Sequence, residues 1–285
     1  MTRILAVWEK IVLILVYFLF IIGANYFLPS LMKSLSFLGS FPGKAAFAVM
    51  LIFIVIFLLI KIFERKPFSH YGFKRFSGKQ FLLMLLFILL LMPLAFLGRV
   101  IDPGYDLWYA QNVGLLTLSG VLFFSLTMPL YVIKEEMIIR ALFQNRLRTY
   151  GFLWMAIAVS LNFAFAHFFI PGEGLKHVIV WAISVFIGSF FLIVFFELTK
   201  NLYLSMLLHL LFNCIISLQI YLHVIQPVYE MIFWIVMLAG ALIAIKLKWK
   251  EFIHPFKEKM HPLGLSEIVF LIIFAIIFPL ILIFA

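Results

Sequence analysis

The sequence predicts an all-α fold, a polytopic transmembrane helix bundle of about eight or nine spans, and three observations carry that expectation. The first is composition. Of 285 residues, 66% are hydrophobic, 12% are charged and 36 are Phe, whereas soluble domains run at ~45–50% apolar and ~25% charged. The second is run length. Apolar stretches fall near 11–32, 45–60, 80–98, 115–143, 152–170, 178–198, 202–222, 228–245 and 265–285, most of them long enough to cross ~30 Å of hydrocarbon. The second and eighth runs are short, and the last is placed either across the membrane or along its edge. The third is charge. Net charge is +10, and sixteen of the 22 basic residues sit on alternate connections, which is the positive-inside pattern.

Taken in order, the elements read as follows. Arg3 and Lys10 precede the first run as in a signal peptide. That run is too long for an h-region and no small-residue cleavage site follows, so a retained anchor is expected. Lys61, Arg65, Lys66, Lys74, Arg75 and Lys79 crowd the second connection, Arg146 and Arg148 the fourth, and Lys200 the sixth. Lys246, Lys248, Lys250, Lys257 and Lys259 crowd the eighth, while the opposite side holds only Lys33, Lys44, Arg99 and Lys176. The N-terminus is therefore expected in the cytoplasm, with the C-terminus outside if all nine runs cross. Basic residues beside a membrane meet anionic headgroups, so lipids rather than nucleic acid are the expected partner of this charge. No polar stretch is long enough to fold alone, and no internal repeat is present. Residues 1–285 thus form a single integral domain. The lone Cys214 lies in an apolar run, which excludes a disulfide framework and leaves it a small packed residue. Short loops, Lys-rich on one side, and no organelle address suit the multi-pass plasma membrane of a prokaryote.

The fourth run contains ionisable groups where few are tolerated. Lys134, Glu135, Glu136 and Arg140 interrupt it, and charges at bilayer depth cost at least ~2.5–3.5 kcal/mol each, so they normally mark an interior site. Glu136 and Arg140 are four apart, share a helical face and are expected to pair, whereas Glu135 points ~100° away and is left for another task. Two later runs carry matching polar groups, His167 in one, His209 and Asn213 in the other. His209 and Asn213 share a face. Phe163 stands one turn below His167 and walls the site, and Pro129 offers a kink near the glutamates. A carboxylate, two imidazoles and an amide make a complete set for hydrolysis.

Depth is a check on whether these groups meet. Measured from Arg146 and Arg148, Glu135 lies roughly 16 Å up the fourth span; His209 and Asn213 lie roughly 10 and 16 Å into the seventh. His167 is the outlier, roughly 22 Å beyond Phe152 if that helix is straight. Glu197 and Glu230 fall near span ends and read as interfacial, and His70, His177, His223, His254 and His261 read as loop or helix-end residues.

Glu135-Glu136-x-x-x-Arg140, then Phe163-x-x-x-His167, then His209-x-x-x-Asn213 together resemble the CPBP family. These are the CAAX-processing and bacteriocin-processing intramembrane endopeptidases, also called the Abi family. Ser160-x-x-Phe163-Ala164-x-x-His167 extends the second motif as in many members, while Ala141 stands where Gly is frequent. The resemblance covers roughly residues 115–225, the expected catalytic core. It implies peptide-bond cleavage in membrane-associated or lipid-modified protein or peptide substrates. Glu135 and His167 would activate the attacking water, His209 and Asn213 would stabilise the oxyanion, and Glu136 with Arg140 would hold the fourth helix.

Metal dependence stays open on the sequence. Glu135, His167 and His209 can supply three ligands for Zn²⁺ with water in the fourth position. A metal-free glutamate mechanism uses the same residues and is slightly favoured, because Asn213 is a poor zinc ligand and a good oxyanion donor. The alternative reading is a catalytically silent relative acting as a membrane regulatory or bacteriocin-immunity factor. Retention of all four polar residues argues against it, since binding alone does not require them. A proton- or ion-coupled transporter also buries Glu and His, but the repeats and paired broken helices of such proteins are not evident.

Overall fold

Ser77 and Gln80 cap each other at the start of helix α1 (Gly78–Ile101). Gln80 Oε1 accepts from the Ser77 amide at 2.9 Å, and Ser77 Oγ accepts from the Gln80 amide at 3.3 Å, the reciprocal arrangement of a capping box. Thr117 caps α2 (Leu118–Glu136) in the same spirit, its Oγ1 accepting from the Gly120 amide at 3.1 Å. The computed structural model describes residues 66–101, 117–167, 175–225 and 227–259, with Leu15 and Leu58 as isolated positions. The runs expected at 11–32, 45–60 and 265–285 lie outside these described residues.

Beyond α2 the backbone continues as a π-helical segment, Met137–Gln144, then a short α-turn and a 3₁₀ turn to Tyr150. The continuous span expected at 115–143 thus changes winding directly after the glutamate pair. Helices α3 (Phe152–Ala166), α4 (Leu175–Thr199), α5 (Leu202–Ile225) and α6 (Pro227–Lys259) follow. Every described element is helical. Among the described residues two segments, Ile179–Thr199 in α4 and Leu202–His223 in α5, are long and apolar enough to cross a membrane. Shorter apolar stretches lie at Gly78–Leu91, Phe152–Phe165 and Val228–Gly240.

Helix α6 outlasts its apolar run. Its apolar run was expected to end at 245, yet the helix continues to Lys259, and 33 residues span ~50 Å at helical rise. Lys, Trp and Glu interrupt an apolar run without interrupting a helix, because their helix propensities are adequate.

The turn between α4 and α5 is fastened to the start of α1, and this fixes the level of the site residues on α5. Lys200, at φ 48, closes α4 through its amide to the Phe196 carbonyl at 2.7 Å. Asn201 Oδ1 caps α5 by accepting from the Leu204 amide at 3.0 Å, while its Nδ2 donates to the Lys74 carbonyl at 2.7 Å. Gly72 has φ 91, and a Cβ there would lie 2.9 Å from the Leu202 nitrogen and from Phe196 Cε2, so only Gly permits this approach. The core beneath is built from Phe87, Phe143, Trp154, Phe195 and Phe196, all fully buried.

Candidate active site

Glu135 and Glu136 occupy the last turn of α2 and face different surroundings. Glu136 is 0% exposed, as is Arg140, and a charge so placed needs partners on every oxygen. It has them. Arg140 Nε donates to Oε2 at 3.3 Å, Ser205 Oγ donates to the same oxygen at 2.6 Å, and His209 Nδ1 meets Oε1 at 3.0 Å. The terminal nitrogens of Arg140 turn elsewhere, Nη1 and Nη2 donating to Ser189 Oγ on α4 at 3.4 and 3.3 Å. Glu136 therefore joins α2 to α5, beyond the pairing within one helix that the spacing predicts.

Glu135 is 20% exposed and sits between the two imidazoles, with Oε1 4.0 Å from His167 Nε2 and Oε2 3.8 Å from His209 Nε2. The far nitrogen of each ring is held from behind. His167 Nδ1 lies 2.7 Å from the Phe163 carbonyl, which can only accept, so this nitrogen carries a proton. His209 Nδ1 faces the Glu136 carboxylate in the same way. Both Nε2 atoms are thereby turned toward Glu135. The gaps of 4.0 and 3.8 Å exceed direct hydrogen-bond length.

The depth mismatch anticipated for His167 is closed. Helix α3 ends at Ala166, and His167 leaves it at φ −98, ψ 0, so the ring turns off the helix end toward α2. Phe163 packs on both imidazoles, with ring centroids 4.6 Å from His167 and 6.0 Å from His209. The Arg140 guanidinium lies 5.8 Å from the Phe163 centroid. Asn213 is set apart. Its amide donates to Met128 Sδ at 3.6 Å, one turn along α5 from His209, and it touches none of Glu135, His167 and His209 among the contacts described.

Residues 114–215 match a family model described as Type II CAAX prenyl endopeptidase, Rce1-like. The matched segment is similar to an Rce1-like domain. Every site residue from Glu135 to Asn213 falls inside it, in agreement with the resemblance drawn from the three motifs, and it supports a protease role. No curated protein and no solved structure matches the chain.

Two further polar clusters lie near helix ends, one inside the matched segment around Glu197 and one beyond it around Glu230. Glu197 sits near the end of α4, as its place in the sequence suggests, and is buried. It accepts from Gln144 Nε2 at 3.1 Å and from Arg148 Nη2 at 2.7 Å, and it pairs with Lys200. Glu230 at the start of α6 is buried as well, bonded to His223 Nδ1 at 2.6 Å and to Gln219 Nε2 at 3.4 Å. The partners of these charges, spread along the chain, are invisible in a linear pattern.

The donor types of Glu135, His167 and His209 suit zinc, but their placement does not. Zinc ligands at ~2.0–2.2 Å lie ~3.3–3.5 Å from one another on a tetrahedral ion, shorter than the separations of 4.0 and 3.8 Å here. Among the described residues no group of three His, Cys, Asp or Glu side chains is disposed to hold a metal ion.

Proposed function

We propose that this protein is an intramembrane endopeptidase hydrolysing peptide bonds of membrane-associated or lipid-modified protein or peptide substrates near the cytoplasmic side. The observation that carries the reading is the convergence of the His167 and His209 Nε2 atoms on the Glu135 carboxylate. Glu135 and His167 hold the attacking water and take its proton, a task that requires acceptors within reach of one or two hydrogen bonds. The proton then passes to the departing amine. His209 stabilises the oxyanion through Nε2 when the ring carries both protons, while Glu136 receives the hydrogen bond from Nδ1. Asn213, one turn further along the same face, supplies an amide donor for an oxyanion extending toward Met128. Donors fixed in a dry cavity stabilise developing charge strongly.

The surroundings fit the proposal of a multi-pass protein with about eight or nine spans in a prokaryotic plasma membrane, its N-terminus cytoplasmic. Ile235, Val236, Leu242 and Leu247 on α6 and Leu126 on α2 are apolar and more than half exposed, a surface suited to lipid. Residues 1–285 then form one integral domain with its catalytic core at 115–225, and its partners are membrane lipids and a peptide substrate, not nucleic acid. The test is cleavage of a panel of membrane-anchored and prenylated peptides by the purified full chain in nanodiscs, with products read by mass spectrometry. Cleavage at one defined bond supports the proposal; intact peptides throughout the panel contradict it.

A further inference from the structure

We infer that Ser205, assisted by Ser189, is a positioning residue that fixes which nitrogen His209 presents to the site. This rests on the proposed endopeptidase reading for its consequence in catalysis, and on hydrogen-bond geometry for its mechanism. Glu136 has two competing suitors. Arg140 lies one turn along its own chain segment, and a guanidinium opposite a carboxylate tends to engage both oxygens as a fork. A forked pair would draw Oε1 away from His209. The structure shows a different division. Arg140 gives Glu136 only Nε, at 3.3 Å, because Nη1 and Nη2 are both turned to Ser189 Oγ. Ser205 Oγ, 2.6 Å from Oε2, occupies that oxygen from the α5 side. Oε1 is left to His209 Nδ1 at 3.0 Å.

Both hydroxyls are buried, Ser189 at 1% and Ser205 at 0% exposure, so neither bond is open to replacement by bulk water. Ser205 is four residues before His209 on α5; one helix face thus carries both the ring and the group that steadies its carboxylate partner. With Glu136 so held, Nδ1 of His209 keeps its proton and Nε2 faces Glu135. Partners of this kind, behind the groups that do chemistry, typically affect activity about 10–100-fold when removed.

The experiment is ¹⁵N NMR of histidine-labelled full chain in nanodiscs, with the His209 resonances assigned by their loss in His209→Asn. In wild type the expected pattern is a protonated Nδ1. In Ser205→Ala the Glu136 carboxylate loses its hold from the α5 side and is free to rotate away from His209, and the His209 Nδ1 and Nε2 signals should move away from the wild-type pattern. Ser205→Thr, which keeps the hydroxyl, should restore the wild-type pattern. Alongside, kcat for a cleaved peptide should fall about 10–100-fold in Ser205→Ala with KM within twofold. His209 shifts in Ser205→Ala identical to wild type overturn the inference, whether or not peptide is cleaved. If no variant, wild type included, cleaves peptide, the endopeptidase reading fails while the NMR result still decides the role of Ser205.

Discussion

His209 Nδ1 and Glu136 Oε1 lie 3.0 Å apart, joining the second glutamate of the first motif to the histidine of the third. The two glutamates therefore divide their work by environment. Glu136 is sealed among Arg140, Ser205 and His209, while Glu135 next to it keeps partial exposure and only loose neighbours. Adjacent residues on a helix point ~100° apart, which is enough to place one in the framework and the other in the cavity.

The sealed glutamate should matter first for stability. Glu136→Gln leaves the Arg140 guanidinium buried without its countercharge, and unpairing a buried charge typically costs ~3–5 kcal/mol. Arg140→Gln should cost a similar amount by stranding Glu136. Thermal unfolding in nanodiscs checks both. Melting temperatures equal to wild type for the two variants would remove the framework role of the pair.

Asn213 should behave in the opposite way. Its only described side-chain bond is to a thioether sulfur, 3.6 Å distant, so Asn213→Ala should leave the melting temperature within a degree or two of wild type. Loss of an oxyanion donor lowers kcat by ~10²–10³ with little change in KM. Asn213→Asp, which swaps the amide donor for an acceptor, should be inactive in metal-free protein. An active Asn213→Asp enzyme that chelators silence would instead place a metal in the site.

How much of this was legible in the sequence depends on how rare each residue type is in an apolar helix. Glu135, Glu136, Arg140, His167 and His209 stand out because ionisable groups are costly there, and the structure brings all five together. Ser189 and Ser205 do not stand out. Serine is common in membrane helices, and only the four-residue step from Ser205 to His209 hinted at a shared face. The π-helical winding of Met137–Gln144 was not legible either, since its sequence looks the same whether its amides reach back four residues or five. The difficulty with the depth of His167 came from comparing backbone levels on straight helices; a ring leaving the end of α3 and a glutamate reaching toward it span the difference.

Glu197 provides a test away from the chemistry. It is 1% exposed against 33% for Arg148 and 35% for Lys200, so the pairings are partly screened. Glu197→Gln should destabilise by about 1–3 kcal/mol, below the value for a fully buried pair, with KM for peptide unchanged. A drop in kcat without any loss of thermal stability would mean that this cluster communicates with the site and is not merely a clamp between α4 and the 137–150 segment.

The central claim is that Glu135 is the base that activates water, and turnover by Glu135→Ala measures it most directly. Its carboxylate makes no contact shorter than 3.8 Å with the two histidines, so the variant should insert and melt like wild type. Removing a general base costs ~10²–10⁴-fold in rate. Peptide cleavage at or below one hundredth of the wild-type rate in protein of unchanged melting temperature is the predicted result; cleavage at the wild-type rate would contradict the account.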